Sequence, residues 1–358
     1  MFRLIDRYIL KKFLFTYVFV VSVIVSVVCI IDMTDKNEKF IRNNLGAKQL
    51  IGYYLDFFPY IANMISPITV FIAVVFVTAK LAAHTEIIAM LAGGVSFKRL
   101  MWPYLMGALI IGGASFYLTG WVIPNSNKTR VAFEVQYLEK STYYSEENIH
   151  LKIAPELYMY IKNYQGQSNT GYHFTLERIN NTKLVEKLSA QQIKWVADSQ
   201  RWELINWKSR SFKDFKEDIS FGDKMDTVLN IEPDDFSNQY RLYETLTLDE
   251  LNSYIRELRS RGADDIEMYA IEKYIRFSSP FTVIILTFIG LIVSARKSRE
   301  GAGFQIALGF LLAFIYIIFF TFTRSIAEVG AMNPALAVWI PNIIFTFVGA
   351  FLYKTLPR

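Results

Sequence analysis

Six long apolar runs without a single charged residue are the feature of this sequence that most constrains its fold. They cover residues 13–31, 57–79, 100–127, 277–295, 302–323 and 329–353. Each is about 19 residues or longer, which lets a helix cross roughly 30 Å of hydrocarbon. A buried helix of a soluble protein seldom stays uncharged for so long, so the sequence predicts a membrane protein with six transmembrane helices. Pro59 and Pro67 predict a kink in the second of them.

Between the third and fourth runs, residues 128–271 are polar, aromatic and rich in turn residues. Four segments of this block have strand-like patterns: 158–164, 172–178, 193–197 and 202–207. Residues 198–201 read as a hairpin turn between the last two. Several short strands without intervening helices predict an all-β domain, with a sandwich, a jelly roll or an open barrel as possible forms.

The chain is therefore divided into three parts. Residues 1–127 form an N-terminal transmembrane half, 128–245 form the inserted β-domain, and 246–358 hold connecting helices and the C-terminal transmembrane half. A capping box at Thr247–Glu250 predicts the first connecting helix, over Leu248–Ser260.

The distribution of basic residues predicts the orientation. The short segments on the side of the two termini hold twelve Lys and Arg residues, against five in the short segments on the opposite side. Positive charge concentrates in cytoplasmic loops, so both termini are predicted to be cytoplasmic and the β-domain to lie outside. The first run has no small-residue cleavage site after it and reads as a retained span rather than a signal peptide.

Several classes of function are disfavoured by what the sequence does not contain. The only cysteine, Cys29, lies in the first span, so no disulfide can form within the chain. No nucleophile–base pattern and no metal-ligand spacing of histidines occurs, so no catalytic or metal-binding residue is predicted. The central turns of the spans hold no ionisable residue of the kind that ion-coupled transporters use. Because the phosphate-binding loop of an ATPase is also missing, transport energy would come from a separate cytoplasmic ATPase.

A short helix is predicted at residues 84–92, in the loop between the second and third spans, with Gly93 and Gly94 ending it. Ile87, Ile88 and Leu91 lie on an apolar face. Such a helix could dock in a groove of a partner, or it could lie on lipid headgroups.

The segment Thr85–Leu100 resembles the coupling-helix signature of the lipopolysaccharide-export permeases, the LptF/LptG family. Four further segments are similar to that family: Ile5–Ile9, Val122–Asn125, Leu246–Leu251 and Arg276–Pro280. The resemblance covers essentially the whole chain, and its N-terminal segment is closer to the LptG branch.

This resemblance implies a non-catalytic permease subunit of an ATP-driven exporter in the bacterial inner membrane. The fold it implies is six transmembrane helices with an inserted periplasmic jelly-roll-like β-domain. The expected partners are a homodimeric ATPase similar to LptB, a paralogous six-span permease, and jelly-roll proteins similar to LptC and LptA. The chain itself would hold no cofactor, with ATP and Mg²⁺ bound by the ATPase, and no nucleic acid is expected. By position, contact with the ATPase would be made by Glu86, Ile87, Met90, Leu91 and Gly94.

The resemblance also implies that lipopolysaccharide enters sideways, between the first span of one subunit and the fifth span of the other. The candidates for lining an acyl-chain cavity in span five are Phe314, Tyr316, Phe319 and Phe320. The candidates for binding headgroup phosphates are Lys36, Lys39, Arg42, Lys128, Arg130 and Arg324. Ordinary lipid-facing packing for the aromatic residues, and solvated anchors for the basic ones, are the alternatives.

The sequence differs from the family pattern near the predicted outer ends of spans one and three. Asp32 stands where some members have a lysine, and Lys36 is a candidate to replace it. Lys128 and Arg130 are not in the register of the arginines that some members use. Two other functions stay open: a mechanotransmitting ABC membrane subunit that carries no lipid, and a membrane-anchored scaffold.

Overall fold

The computed structural model describes residues 4–138, 145–154, 156–166, 168–180, 183–197, 199–213, 216–229, 231, 233, 241–261, 266–295 and 302–354. These residues form two compact units. The first comprises Met1–Arg130, Thr245–Leu248 and Glu267–Arg358, and the second comprises Val131–Glu244 and Asp249–Ile266.

The N-terminal half is helical. Its helices are α1 (Leu4–Arg42), α2 (Ala47–Met64), α3 (Ser66–Ala83), α4 (Glu86–Ala92), α5 (Phe97–Tyr117) and α6 (Ile123–Phe133). Two π-helical turns, Leu118–Val122 and Glu134–Leu138, follow α5 and α6. Helix therefore continues beyond residue 128, and the first strand begins at Ser145.

The C-terminal half is also helical. Its helices are α7 (Leu242–Thr245), α8 (Leu248–Arg261), α9 (Ile266–Ser294), α10 (Ala302–Glu328) and α11 (Pro334–Lys354). The start of α8 at Leu248 confirms the predicted connecting helix. Gly262, which was expected to end it, lies outside the described residues.

Six of these helices are long and apolar enough to cross a membrane, which confirms the predicted number of spans. Helices suit these runs because lipid offers no partner for backbone N–H and C=O groups, which must then pair within each segment. The predicted kink in the second run is a break at Ile65, between α2 and α3, where Pro67 occupies the first turn of α3.

Helices α3 and α9 lie at the centre of the transmembrane unit. In each of them 61% of the most apolar 18-residue stretch is buried, against 11% in α1 and 22% in α10. One apolar cluster joins α3 and α9 to α1, α4 and α5, and a second joins them to α10 and α11. Helices α1 and α10 therefore keep most of their surface free for lipid or for another subunit.

Glycines allow close approach of α5 to its neighbours. A Cβ atom at Gly107 would lie 2.5 Å from the ring of Phe13 in α1, and one at Gly112 would lie 3.2 Å from the Pro280 backbone in α9. Small residues at such crossings are typical of membrane helices, where van der Waals contact drives association.

We expect Gly107→Ala to destabilise the transmembrane unit by about 1–3 kcal/mol, because its methyl group would overlap the Phe13 ring. Thermal unfolding of the purified protein in detergent would measure the loss. Gly113→Ala on the same helix is the matched control, because a Cβ atom at that position would meet no atom of the described residues within 4 Å. Equal melting temperatures for the two variants would contradict the assigned packing.

The second unit contains one antiparallel sheet of six strands in sequential order. The strands are β1 (Ser145–Ala154), β2 (Leu157–Gln165), β3 (Thr170–Asn180), β4 (Lys183–Val196), β5 (Arg201–Lys213) and β6 (Lys216–Thr227). The inserted all-β domain is thus confirmed, and the four predicted segments lie in or overlap β2–β5. Val196 pairs with Arg201 at the predicted hairpin, although Asp198 of that turn lies outside the described residues.

The core of the β-domain forms on one face of this sheet. Met159 and Ile161 in β2 and Trp202 and Leu204 in β5 are buried at alternate positions. The Trp202 indole donates a 2.8 Å hydrogen bond to the Ile231 carbonyl, which fixes the chain after β6 against this core.

The side chains of strand β6 are exposed or half-buried, and none of them is buried. It is held to β5 by its ladder and by ion pairs such as Arg210 with Glu217 and Lys224 with Glu203. The hydrogen bond from Arg210 lowers the pKa of Glu217, and the hydrogen bond to Glu203 raises the pKa of Lys224. Exposed pairs of this kind contribute little stability, so the strand ladder itself holds β6 in place.

Candidate functional site

The short helix α4 is bounded on both sides by left-handed backbone. Thr85 has φ 60° immediately before it and Gly94 has φ +84° just after it. The N–H groups of Gly94 and Val95 bond back to the Leu91 and Met90 carbonyls, at 3.0 and 3.1 Å. Because only glycine adopts the conformation of Gly94 without strain, this residue sets where α4 ends.

The three residues of the predicted apolar face of α4 differ in burial. Ile87 is 3% exposed and belongs to the cluster that contains Ile9, Phe13 and Leu100. Ile88 and Leu91 are 41% and 40% exposed. Helix α4 is therefore anchored through Ile87, while two large apolar side chains remain available to a partner.

Glu86 begins α4 and is contacted by the first turns of α1. The Tyr8 hydroxyl donates a 3.0 Å hydrogen bond to its Oε2, and Lys12 Nζ lies 3.6 Å from its Oε1. The Glu86 side chain stays 32% exposed. It can thus accept a further hydrogen bond from outside the chain.

A second ion pair joins the same elements. Asp6 in α1 pairs with Arg99 in the first turn of α5, and Asp6 is only 3% exposed. Ser96 caps α5 by accepting from the Arg99 backbone N–H at 3.3 Å. The loop that carries α4 is therefore tied to α1 on both sides of α4.

An open groove of about 410 Å³ lies between the start of α1 and α4. Its lining is Ile5, Glu86, Ala89, Met90, Gly93 and Val95. An apolar surface with one carboxylate suits a partner segment that carries an apolar side chain beside a cation.

The predicted headgroup cation Lys36 is held within the chain. Its Nζ lies 2.7 Å from Asp32 Oδ1 and donates a 2.7 Å hydrogen bond to the Tyr53 hydroxyl. Tyr54 donates to the other Asp32 oxygen at 3.1 Å. Lys36 thus neutralises Asp32, the residue that stands where some family members have a lysine. Lys39 and Arg42, one and two turns further along α1, are exposed.

The other three predicted cations lie in different surroundings. Arg130 is 1% exposed, stacks 4.3 Å from the Tyr60 ring centre and donates to Asn127 at 3.0 Å. Lys128 is exposed. Arg324 in α10 pairs with Glu328 at 2.7 Å. The six basic candidates thus differ in burial and in their contacts within the chain, and their binding of headgroups stays a prediction.

The four aromatic candidates on α10 face different ways. Phe314 is 60% exposed, and Phe319 and Phe320 are half-buried. Tyr316 is 3% exposed, and its hydroxyl lies 2.9 Å from Thr282 Oγ1 and 3.0 Å from Asn342 Oδ1. Tyr316 therefore joins α10 to α9 and α11, and Phe314 is the member that faces outward.

Sequence reasoning missed Asp6, Tyr8, Lys12 and Arg99, which surround the coupling segment. The spacing of Asp6, Ile9 and Phe13 on one helical face was the available signal. It could not identify Arg99 as the partner, because that residue lies 93 positions away.

The fold and these contacts define a multi-pass membrane protein with a β-domain inserted between its third and fourth spans. Residues 7–355 match the family described as the lipopolysaccharide export system permease LptF/LptG. The chain belongs to this family of non-catalytic membrane subunits of the inner membrane.

Two curated relatives agree with this assignment. The chain is 18% identical over 353 residues to the lipopolysaccharide export system permease protein LptG of Escherichia coli strain K12, with 98% of both chains covered. The LptG protein of Escherichia coli O6:H1 strain CFT073 gives the same values. Full coverage at low identity indicates a shared architecture along the whole chain.

Proposed function

We propose that this chain is the permease subunit of an ATP-driven exporter that extracts lipopolysaccharide from the inner membrane and passes it to a periplasmic bridge of β-domains. The observation that carries the proposal is the family match over residues 7–355, together with an exposed acid and an apolar groove on α4. The partners are an ATPase dimer similar to LptB, a paralogous permease, and β-domain proteins similar to LptC and LptA.

The orientation follows from the charge distribution. Twelve basic residues flank the spans on the side of the termini and five on the other, so both termini and α4 face the cytoplasm. The β-domain then lies in the periplasm, where its strands can join those of neighbouring domains.

The movement driven by ATP hydrolysis reaches this chain through α4. Glu86 accepts a cation of the ATPase, while Ile88, Leu91 and the groove between α1 and α4 receive apolar side chains. ATP and Mg²⁺ bind to the ATPase, and this chain moves in response. Met90 and Gly94 shape the groove and the end of α4.

The lipid path uses the two least buried spans. Helices α1 and α10 leave most of their apolar surface open, which supports entry of acyl chains between α1 of one permease and α10 of the other. Phe314 offers an exposed aromatic surface at that position.

Reconstitution tests the proposed function directly. The complex isolated through a tag on this chain should release lipopolysaccharide from proteoliposomes to an added periplasmic acceptor only when ATP is present. Transfer by this chain alone, without ATPase or ATP, would contradict the proposal. An assembled complex that hydrolyses ATP without releasing lipid would instead favour a subunit that transmits force and carries no lipid.

A photo-crosslinking amino acid placed at position 314 should capture lipopolysaccharide in cells, because this side chain is 60% exposed on α10. The same probe at position 313 is the matched control, since Ala313 is 3% exposed on the neighbouring face. Immunoblotting for lipopolysaccharide-shifted bands would measure capture. Labelling of phospholipid alone at position 314 would remove α10 from the lipid path.

A further inference from the structure

The first turn of α1 is bound to the coupling loop (residues 84–99) through a partly buried ion pair. Asp6 is 3% exposed and pairs with Arg99, whose side chain is 37% exposed. Around it, Ile9 and Phe13 of α1 lie fully buried in the cluster that includes Ile87 of α4 and Leu100 of α5. Separating these elements would remove Arg99 from a buried carboxylate and expose apolar surface, so this contact resists opening.

The second contact is of a weaker kind. Tyr8 and Lys12 bind Glu86 at 3.0 and 3.6 Å, where the Lys12 and Glu86 side chains are 36% and 32% exposed. Exposed ion pairs contribute little stability, so a cation from outside can replace Lys12 on Glu86 at small cost.

Helix α1 can carry a movement from this point across the membrane. It runs unbroken from Leu4 to Arg42 and contains no glycine or proline. Its 39 residues extend over roughly 58 Å at 1.5 Å per residue. In its most apolar 18-residue stretch only 11% is buried, so this part of α1 can move relative to the central helices.

We propose that Asp6 and Arg99 act as positioning residues that make α1 and the coupling loop move as one body. In this arrangement Tyr8 and Lys12 hold Glu86 only until a cation of the partner binds. That cation then replaces Lys12 on Glu86, and we call this contact exchangeable. Force on α4 then displaces α1 through this ion pair. The inference rests on the proposed function, since it assumes that a partner pulls on α4.

The test uses the complete transporter in proteoliposomes and measures lipopolysaccharide released per ATP hydrolysed. We expect Asp6→Asn to assemble with the ATPase and to keep its hydrolysis rate within about twofold. Released lipid per ATP should fall by about tenfold, within the usual range of coupling between sites. The exchanged pair Asp6→Arg with Arg99→Asp should recover most of the loss. Tyr8→Phe, which removes the hydrogen bonds of the Tyr8 hydroxyl with Glu86 and Lys12 and keeps the Asp6–Arg99 pair, should stay within about twofold of the original ratio.

A covalent link gives a second, independent readout. Cysteines at positions 6 and 99, in a Cys29→Ser background, would be joined by a short cleavable thiol reagent. If the two elements move together, the joined protein should keep at least half of the original lipid released per ATP. Loss of release on joining, reversed by cleavage, would show that α1 must separate from the loop, and it would overturn the inference.

The two proposals fail in different ways. Absence of ATP-dependent release by the unmodified complex contradicts the proposed function. Normal release by that complex, with an unchanged ratio in Asp6→Asn, contradicts only the positioning role. If Asp6→Asn does not assemble, the joined cysteine pair decides between the outcomes.

Discussion

Replacing Glu86 with lysine should abolish lipopolysaccharide export while the protein still inserts in the membrane. The substitution places a cation about 4 Å from Lys12 and removes the carboxylate that a partner cation would bind. Losing one member of a charge pair at an interface costs about 2–5 kcal/mol, which weakens ATPase binding by roughly 30-fold or more. Co-purification of the ATPase and delivery of lipopolysaccharide to the outer membrane would both be measured.

The matched control is Glu38→Lys, which makes the same charge change at an exposed position near the far end of α1. This variant should keep the ATPase and full export. Normal delivery by Glu86→Lys would count against α4 as the docking element, whichever contacts Glu86 makes within the chain.

Arg276→Met should be the most damaging substitution for the stability of the transmembrane unit. The Arg276 side chain is 1% exposed, lies 3.0 Å from Glu272 and donates a 2.7 Å hydrogen bond to the Leu246 carbonyl. Removing it leaves the half-buried Glu272 carboxylate and Leu246 carbonyl without this cation. We expect a loss of about 3–5 kcal/mol in the free energy of unfolding.

Reversible unfolding in mixed detergent would measure that loss. The double variant Arg276→Met with Glu272→Met should regain a large part of it, because no charge is then left behind. Arg256→Met, at an exposed position of α8, is the control and should change stability by less than about 0.5 kcal/mol. A single variant as stable as its control would contradict the role given to Arg276.

The spans and the inserted domain could be predicted because their signals are local. Uninterrupted apolar runs follow directly from the lack of hydrogen-bond partners in lipid, and the break near Pro67 follows from the missing N–H. Strands β2 to β5 show aromatic and β-branched patterns. Strand β6 is mostly exposed and many of its residues are charged, so only pairing with β5 reveals it.

The contacts around the candidate sites could be predicted only in part. The pair Asp32–Lys36 lies one helical turn apart and can be read from spacing, whereas Tyr53 is brought to Lys36 by the packing of α2 on α1. Tyr316 was a candidate for lining an apolar cavity, with ordinary packing as the alternative. Its hydroxyl meets Thr282 and Asn342, which lie 34 and 26 residues away, and tertiary packing alone brings them together.

The sequential order of the six strands bears on how the polypeptide acquires its structure during biosynthesis. Every ladder joins neighbours along the chain, so sheet assembly needs only short loops to close and no distant partner. The β-domain can therefore complete its hairpins one after another as it emerges, before the ribosome has made the last three membrane helices. The four inner strands of newly made protein would then stay unpaired only briefly, which limits the time available for aggregation.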